Sequence, residues 1–203
     1  MNLIPPSGLV FDIGAHLGES AIRFLDAGAR SVVCVEPVLA NYLRIPERPE
    51  IIKIHAAAWH DNMVQLVHPA LSDSAWSSLN PAHWEKTKPG VKWGAPETVA
   101  AITIDAISTR FTNPDIVKID AEGSEPYILS GMSFKPKTVI FEFCNVHMDD
   151  ALSCLERLRN LGFTFGWYEL GQFSLEERER RPIEAIADEL CDLNPRSGNI
   201  TVQ

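Results

Sequence analysis

Asp12, Glu36 and Asp120 each close an apolar run of strand character, and after the first the chain turns through Gly14-Ala15-His16-Leu17-Gly18. In open α/β sheets ligands bind beyond the carboxyl ends of the strands, so acids at those ends are candidates for ligand contact. A dinucleotide turn reads G-x-G-x-x-G, and its second glycine lets the backbone approach a pyrophosphate. Counted from Gly14, the second and third glycine positions hold His16 and Glu19, so the pattern fails at both. A carboxylate at Asp12 would repel a pyrophosphate but suits an ammonium or a sulfonium. Glu36, at the end of the next strand, is placed to accept hydrogen bonds from two ribose hydroxyls. A cationic amino acid joined to a nucleoside, with no phosphate, fits this set: S-adenosylmethionine. NAD is the weaker match. Taken singly, the turn could be a plain strand-to-helix elbow and Glu36 a charge flanking a helix; their occurrence at successive strand ends argues against that.

A second group of charges lies further along, in "VKIDAEGSEPYILSG" and "VIFEF". Transfer of a methyl group is an in-line displacement at carbon, helped by holding the acceptor in place and by a base that removes its proton. Asp120 ends the fourth core strand, where it either takes that proton or holds the cofactor. Lys118, two residues earlier on the same strand face, is its candidate ion-pair partner. Glu122 follows in the loop. Glu125 opens a helix, where the helix dipole alone would favour an acid. Glu142 stands among apolar Ile140, Phe141 and Phe143, which makes a solvated role hard to defend, so it is a further base candidate. Three such acids with His147 nearby could hold a divalent metal, but no spacing is diagnostic and no metal is assigned. His16 is expected to shape the turn or touch the cofactor.

These residues must be positioned by alternating strands and helices, the pattern of a mostly parallel sheet covered on both faces. Strands are expected at Gly8 to Ile13, "SVVCVEP" closed by Pro37, "EIIKIHAAAW", "ETVAAITI", "DIVKID" and "KTVIFEF", with "MVQLVHP" as the return arm of a hairpin. A helix from about Leu17 presents Leu17, Ala21, Phe24 and Leu25 and stops at Gly28. "EPYILSG" is a helix begun by Ser124 and ended by Gly131. Leu152, Leu155, Leu158 and Leu161 form a core stripe ended by Gly162. "FTFGWYEL" and "GNITVQ" are expected as a final antiparallel pair, and the charge run Glu176 to Arg181 as a solvated helix face. Residues 70–95 carry three of the five tryptophans without a period, and are read as a flap over a pocket. His83 and Trp84 there are candidate substrate contacts.

In order along the chain, "VFDIGAHLGESA", "VVCVEP", "HAAAWHDN", "WSSL", "ITID", "KIDAEGSE" and "VIFEF" resemble the FkbM-type methyltransferases, within the class I fold that uses S-adenosylmethionine. The most specific stretch is the K-I-D-x-E-G-x-E signature at Lys118, Asp120, Glu122, Gly123 and Glu125. The resemblance implies a Rossmann-like, seven-stranded, mostly parallel sheet whose last strand runs antiparallel. It implies a cofactor pocket from Asp12, Gly14, Ala15, His16 and Gly18, with Glu36 and Pro37 at the ribose and the backbone of Ala57 and Ala58 beside the adenine. Ser77 and Ser78 resemble the family's serine pair and could close over the cofactor, and Asp120 joins the same pocket. Oxygen as the methyl acceptor also comes from the resemblance. Family members often carry more sequence before the glycine turn; here eleven residues precede Asp12, so a substrate-binding cap is expected to be missing or supplied by a partner subunit.

With 203 residues the chain suits one domain, residues 1–203. A net charge of −9 speaks against a nucleic-acid partner. Cys34, Cys144, Cys154 and Cys191 form no CxxC pair, and free thiols are expected. The start "MNLIPPSG" lacks a signal-peptide pattern, and no run approaches the ~18 apolar residues of a membrane span. A cytoplasmic enzyme is expected, an O-methyltransferase acting on a hydroxyl of a small molecule or sugar-containing metabolite, with a homo-oligomer left open. The competing readings are an NAD-dependent oxidoreductase of Rossmann type and a non-catalytic, cofactor-binding assembly subunit.

Overall fold

A computed structural model describes residues 3–4, 8–82, 89–192 and 197–203. Its strands are β1 (Leu9–Ile13), β2 (Ser31–Glu36), β3 (Ile51–His55), β4 (Ala57–Ala58), β5 (Val64–Val67), β6 (Glu97–Ile102), β7 (Ile116–Ile119), β8 (Thr138–Cys144), β9 (Phe165–Leu170), β10 (Arg181–Pro182) and β11 (Ser197–Val202). The helices are α1 (Glu19–Asp26), α2 (Leu39–Tyr42), α3 (Ile104–Phe111), α4 (Glu125–Ser130), α5 (Met148–Asn160) and α6 (Ile183–Cys191). The main sheet runs β10-β9-β11-β8-β7-β1-β2-β3. From β8 to β3 every pairing is parallel, and β11 is antiparallel to both β8 and β9. The last strand therefore reverses as expected. The sheet has eight strands rather than seven, the addition being two-residue β10 on the edge beside β9.

Alternation along β1 divides the core. Leu9, Phe11 and Ile13 pack with buried residues of α3, α4, α5 and α6 on one face. Val10 packs on the other face with Ala21 and Phe24 of α1. On that second face Cys34, Asp12, Lys118, Ile140 and Thr201 stand in one row across neighbouring strands. Two residues toward the carboxyl ends of the parallel strands, the next row is Glu36, Gly14, Asp120 and Glu142, joined by Asn199, two residues before Thr201 on antiparallel β11; Glu142 and Asn199 are direct cross-strand partners. The carboxyl edge of the sheet thus gathers the candidate residues into a line.

Several expectations need correction. "EIIKIHAAAW" is not one strand: β3 ends at His55, and Ala57–Ala58 passes to a second, three-stranded sheet in the order β4-β6-β5. "MVQLVHP" pairs antiparallel with β6, not as a hairpin with β3, because the buried Val67 and Val99 need the same small core. The run Glu176 to Arg181 is not helical. It is irregular up to β10, and its charges are met by ion pairs of Arg178 with Glu169 at 3.4 Å, Arg180 with Glu177 and Arg181 with Glu189. The helix starts after Pro182, which has no N–H to give a preceding turn. Helix α3, unforeseen, is capped by Thr103, whose hydroxyl accepts from the Ala106 N–H at 3.0 Å. Cysteines 34, 144, 154 and 191 are free. No described helix is long and apolar enough to cross a membrane.

Candidate functional site

The elbow after β1 is held by its own backbone. Gly14 and Ala15 N–H groups both donate to the Val35 carbonyl (3.0 and 3.1 Å), and Asp120 N–H donates to the Ile13 carbonyl at 3.0 Å. Gly14 has φ +74°, and a Cβ there would stand 1.8 Å from the Asp120 carbonyl oxygen. Only glycine allows the ends of β1 and β7 to meet so closely. Gly18, at φ +84°, starts α1 with Pro46 against it.

Glu36 is buried at the end of β2. Its Oε2 accepts the His16 N–H and its Oε1 the Val38 N–H, each at 2.9 Å, with the Asn41 amide at 3.4 Å. Burial pushes its pKa up to about 7, against the lowering effect of those hydrogen bonds. His16 Nε2 meets Ser74 Oγ at 2.8 Å, and burial lowers the pKa of its ring.

Two cavities share one wall. The first runs between the carboxyl ends of β1 and β2 and the segment 74–79; Gly14, His16, Glu36, Pro37, Ala57, Ala58 and Asp120 line it, with apolar Val35, Val67, Leu79 and Ile128. The second lies above β7, β8 and β11 and is lined by Ala15, Ser20, Arg23, Lys118, Asp120, Glu122, Glu142, Phe173 and Asn199 among others. Gly14, His16, Ala75, Asp120 and Glu122 belong to both.

Of the residues expected at the cofactor, Asp12, Gly18 and Ser78 are on neither wall. Asp12 is wholly buried beneath it, accepting from Ser20 Oγ at 2.6 Å and paired with Lys118 Nζ at 3.3 Å. Ser78 donates to the Glu122 carbonyl at 2.8 Å, clipping the segment to the loop after β7, and Ser77 does the lining. His83 and Trp84 lie outside the described residues.

Lys118 sits between two acids, 3.3 Å from Asp12 and 3.2 Å from Asp120. Burial alone would lower its pKa, but Asp120 and Asp12 outweigh it and the ammonium's pKa is raised. Glu125 acts as a strut: Oε1 accepts the Ala121 N–H at 2.8 Å and Oε2 the Gly123 N–H at 3.0 Å. The loop they brace includes Glu122 at φ +53°. Burial, then the charges of Asp120 and Glu125, push the Glu142 carboxyl well above the usual carboxylate range. Asn41, Ser74 and Asn199 were not foreseen, for they come to the site from other strands and loops and carry no local signal.

A glycine elbow, an acid at the next strand end and this strand order define an α/β fold of the methyltransferase type. The chain belongs to the family of the methyltransferase FkbM domain, whose pattern matches residues 12–165. Among solved structures it is similar to an FkbM methyltransferase of Methylobacillus flagellatus, with 14% identity over 97% of this chain and 44% of that one, TM-score 0.54. The chain therefore spans less than half the length of that protein. It is also similar to a protein described as an RNA methyltransferase from Pyrococcus horikoshii (11% identity, 98% and 73% covered, TM-score 0.51). A third likeness is to a protein described as a hemolysin from Streptococcus thermophilus (9%, 97% and 59%, TM-score 0.50). At such identities the likeness is one of fold. No curated protein matches the sequence closely enough to count as a relative.

Proposed function

We propose that the chain binds S-adenosylmethionine in the first cavity and transfers its methyl group to a hydroxyl oxygen of a small polar acceptor in the second. The observation that carries this reading is the wall the two cavities share, with Asp120 in it. The first cavity suits the donor. Glu36 offers carboxylate oxygens for ribose hydroxyls, while Ala57, Ala58, Val67 and Leu79 leave an apolar slot of adenine character. The three successive amides of Gly14, Ala15 and His16 are already engaged by Val35 and Glu36, which leaves none of them for a pyrophosphate and speaks against NAD. When bound, the donor supplies an electrophilic methyl group on a sulfonium. Asp120, steadied by Lys118, accepts the proton of the acceptor hydroxyl as the new bond forms. Glu122 and Glu142 face the same chamber and fix its polarity. A cytoplasmic location and a partner copy remain part of the proposal, without a nucleic-acid partner.

Thermal unfolding with S-adenosylhomocysteine and with NAD tests the donor. Stabilisation by the former alone is expected; stabilisation by NAD alone overturns the reading. Transfer of labelled methyl groups into a panel of sugars and polyols tests Asp120. Asp120→Ala should lower turnover by 10²–10⁴-fold while changing S-adenosylhomocysteine affinity far less.

A further inference from the structure

From the second cavity we infer a site for one hard divalent cation, built by the carboxylates of Asp120, Glu122 and Glu142 and the amide oxygen of Asn199. Oxygen atoms of the three acids all lie within 4.8 Å of one another. Two ligands on opposite sides of a calcium-sized ion, each ~2.4 Å from it, stand about that far apart. The set can therefore close on a single ion with little movement. Acidic groups cluster on many surfaces without binding metal, and a second, independent feature is needed.

Asn199 provides it. The residue is 7% exposed, and its side-chain Nδ2 donates to the Gly171 carbonyl at 2.8 Å. That bond settles which atom of the amide is which. Oδ1 is buried and has no hydrogen-bond partner. Asn199 is the direct cross-strand partner of Glu142, so both side chains rise from the same sheet face, about 5 Å apart at Cβ. Both line the chamber that Asp120 and Glu122 also line. A buried acceptor without a partner marks a place for a donor or a cation, and of the two a cation also answers the three acids that line the same chamber.

The protein's own cations do not fill that role. Lys118 is spent on the row beneath, between Asp12 and Asp120. Arg23, also on the chamber wall, is turned onto Phe173, donating to its carbonyl at 2.6 Å and lying 4.2 Å from its ring centroid. Four acidic side chains, counting Asp12 in the row beneath, thus share one engaged ammonium. An all-oxygen ligand set selects Mg²⁺, Mn²⁺ or Ca²⁺ over softer metals. An ion there offers open positions to the oxygens of a polyhydroxyl acceptor.

The test reads metal binding in the whole chain without any methyl donor, so it stands apart from the proposed activity. Mn²⁺ is titrated into the protein and the free ion is followed by electron paramagnetic resonance, with Mg²⁺ and Ca²⁺ as competitors. One Mn²⁺ per chain is expected, displaced by either competitor. Glu142→Gln and Asn199→Ala should each weaken it tenfold or more. Far-UV circular dichroism and urea unfolding, measured on the same samples, verify that each variant is folded. Absence of bound Mn²⁺ at millimolar concentration in folded protein overturns the inference, as does binding left unchanged by either substitution.

Discussion

Glu36 and Lys118 are two buried charges with opposite relations to their neighbours, and the difference fixes what their replacement should do. Glu36 is held by N–H donors and no cation, and burial raises its pKa to about 7. If ribose hydroxyls donate to it, the ionised form binds better, so affinity for S-adenosylhomocysteine should rise as pH increases through 7. His16 and Asn41 are its polar neighbours in the wall, with the charge of Asp12 behind. Calorimetric titration between pH 6 and 8.5 measures this. Glu36→Gln should weaken binding about tenfold to a hundredfold at pH 8 and flatten the pH dependence; a slope that survives the substitution assigns the titration to another group. Lys118 answers two acids at once. Lys118→Met would leave Asp12, wholly buried, with only the Ser20 hydroxyl. Breaking such a pair by removing one partner destabilises by about 3–5 kcal/mol, which urea unfolding will read. Asp12→Asn should be milder, because Lys118 keeps Asp120.

At the scale of elements the decisive piece is the elbow between β1 and α1. Gly14→Ala would drive a methyl group into the Asp120 carbonyl, forcing β1 and β7 apart at their carboxyl ends. Loss of S-adenosylhomocysteine binding and a lower melting temperature are expected together. Gly28→Ala serves as the control: it too has positive φ, at +105°, but its Cβ would meet nothing within 4 Å, so backbone strain of about 1 kcal/mol is all that should appear. Equal effects at the two positions would sink the close-approach argument. The elbow was legible in the sequence because a strand, an acid and a glycine turn are local signals, and so were the ends of α4, set by Ser124 and Gly131. Local signals also exist for α3, in Thr103 followed by buried Ile104 and Ile107, but they overlap the strand pattern of "ETVAAITI". Pairing of β5 with β6 was not legible, since both carry mixed exposure and meet only after a long intervening segment. Asn199 was hidden for the same reason: it reaches Glu142 through sheet register, and "GNITVQ" by itself reads only as a strand.

For the molecule as a whole, the buried acids of the site set a term in folding stability that depends on pH. Glu36 and Glu125 both have folded pKa values near 7, raised chiefly by burial from an ordinary value of 4.5. Between those values the unfolded chain has released protons that the folded chain still holds. Stability from these two groups is therefore full below pH 4.5 and is lost as pH rises through 7. Other carboxylates act the opposite way, as Asp115 does with its pKa lowered (burial raises it, but the bond from Lys137 and the Leu9 N–H prevail). The raw stability curve mixes the two kinds, so the comparison must be with a variant. Glu125→Gln keeps the shape of the strut, removes the titration, and sacrifices one of the two acceptors that hold the Ala121 and Gly123 N–H groups. The wild-type chain should be the more stable at pH 5, and its advantage should shrink steadily toward pH 8, as measured by urea unfolding of both proteins in parallel. A difference that stays constant across that range would mean that Glu125 is ionised in the folded protein throughout, and that the loop carrying Asp120 and Glu122 is braced by a charge rather than by a neutral acid.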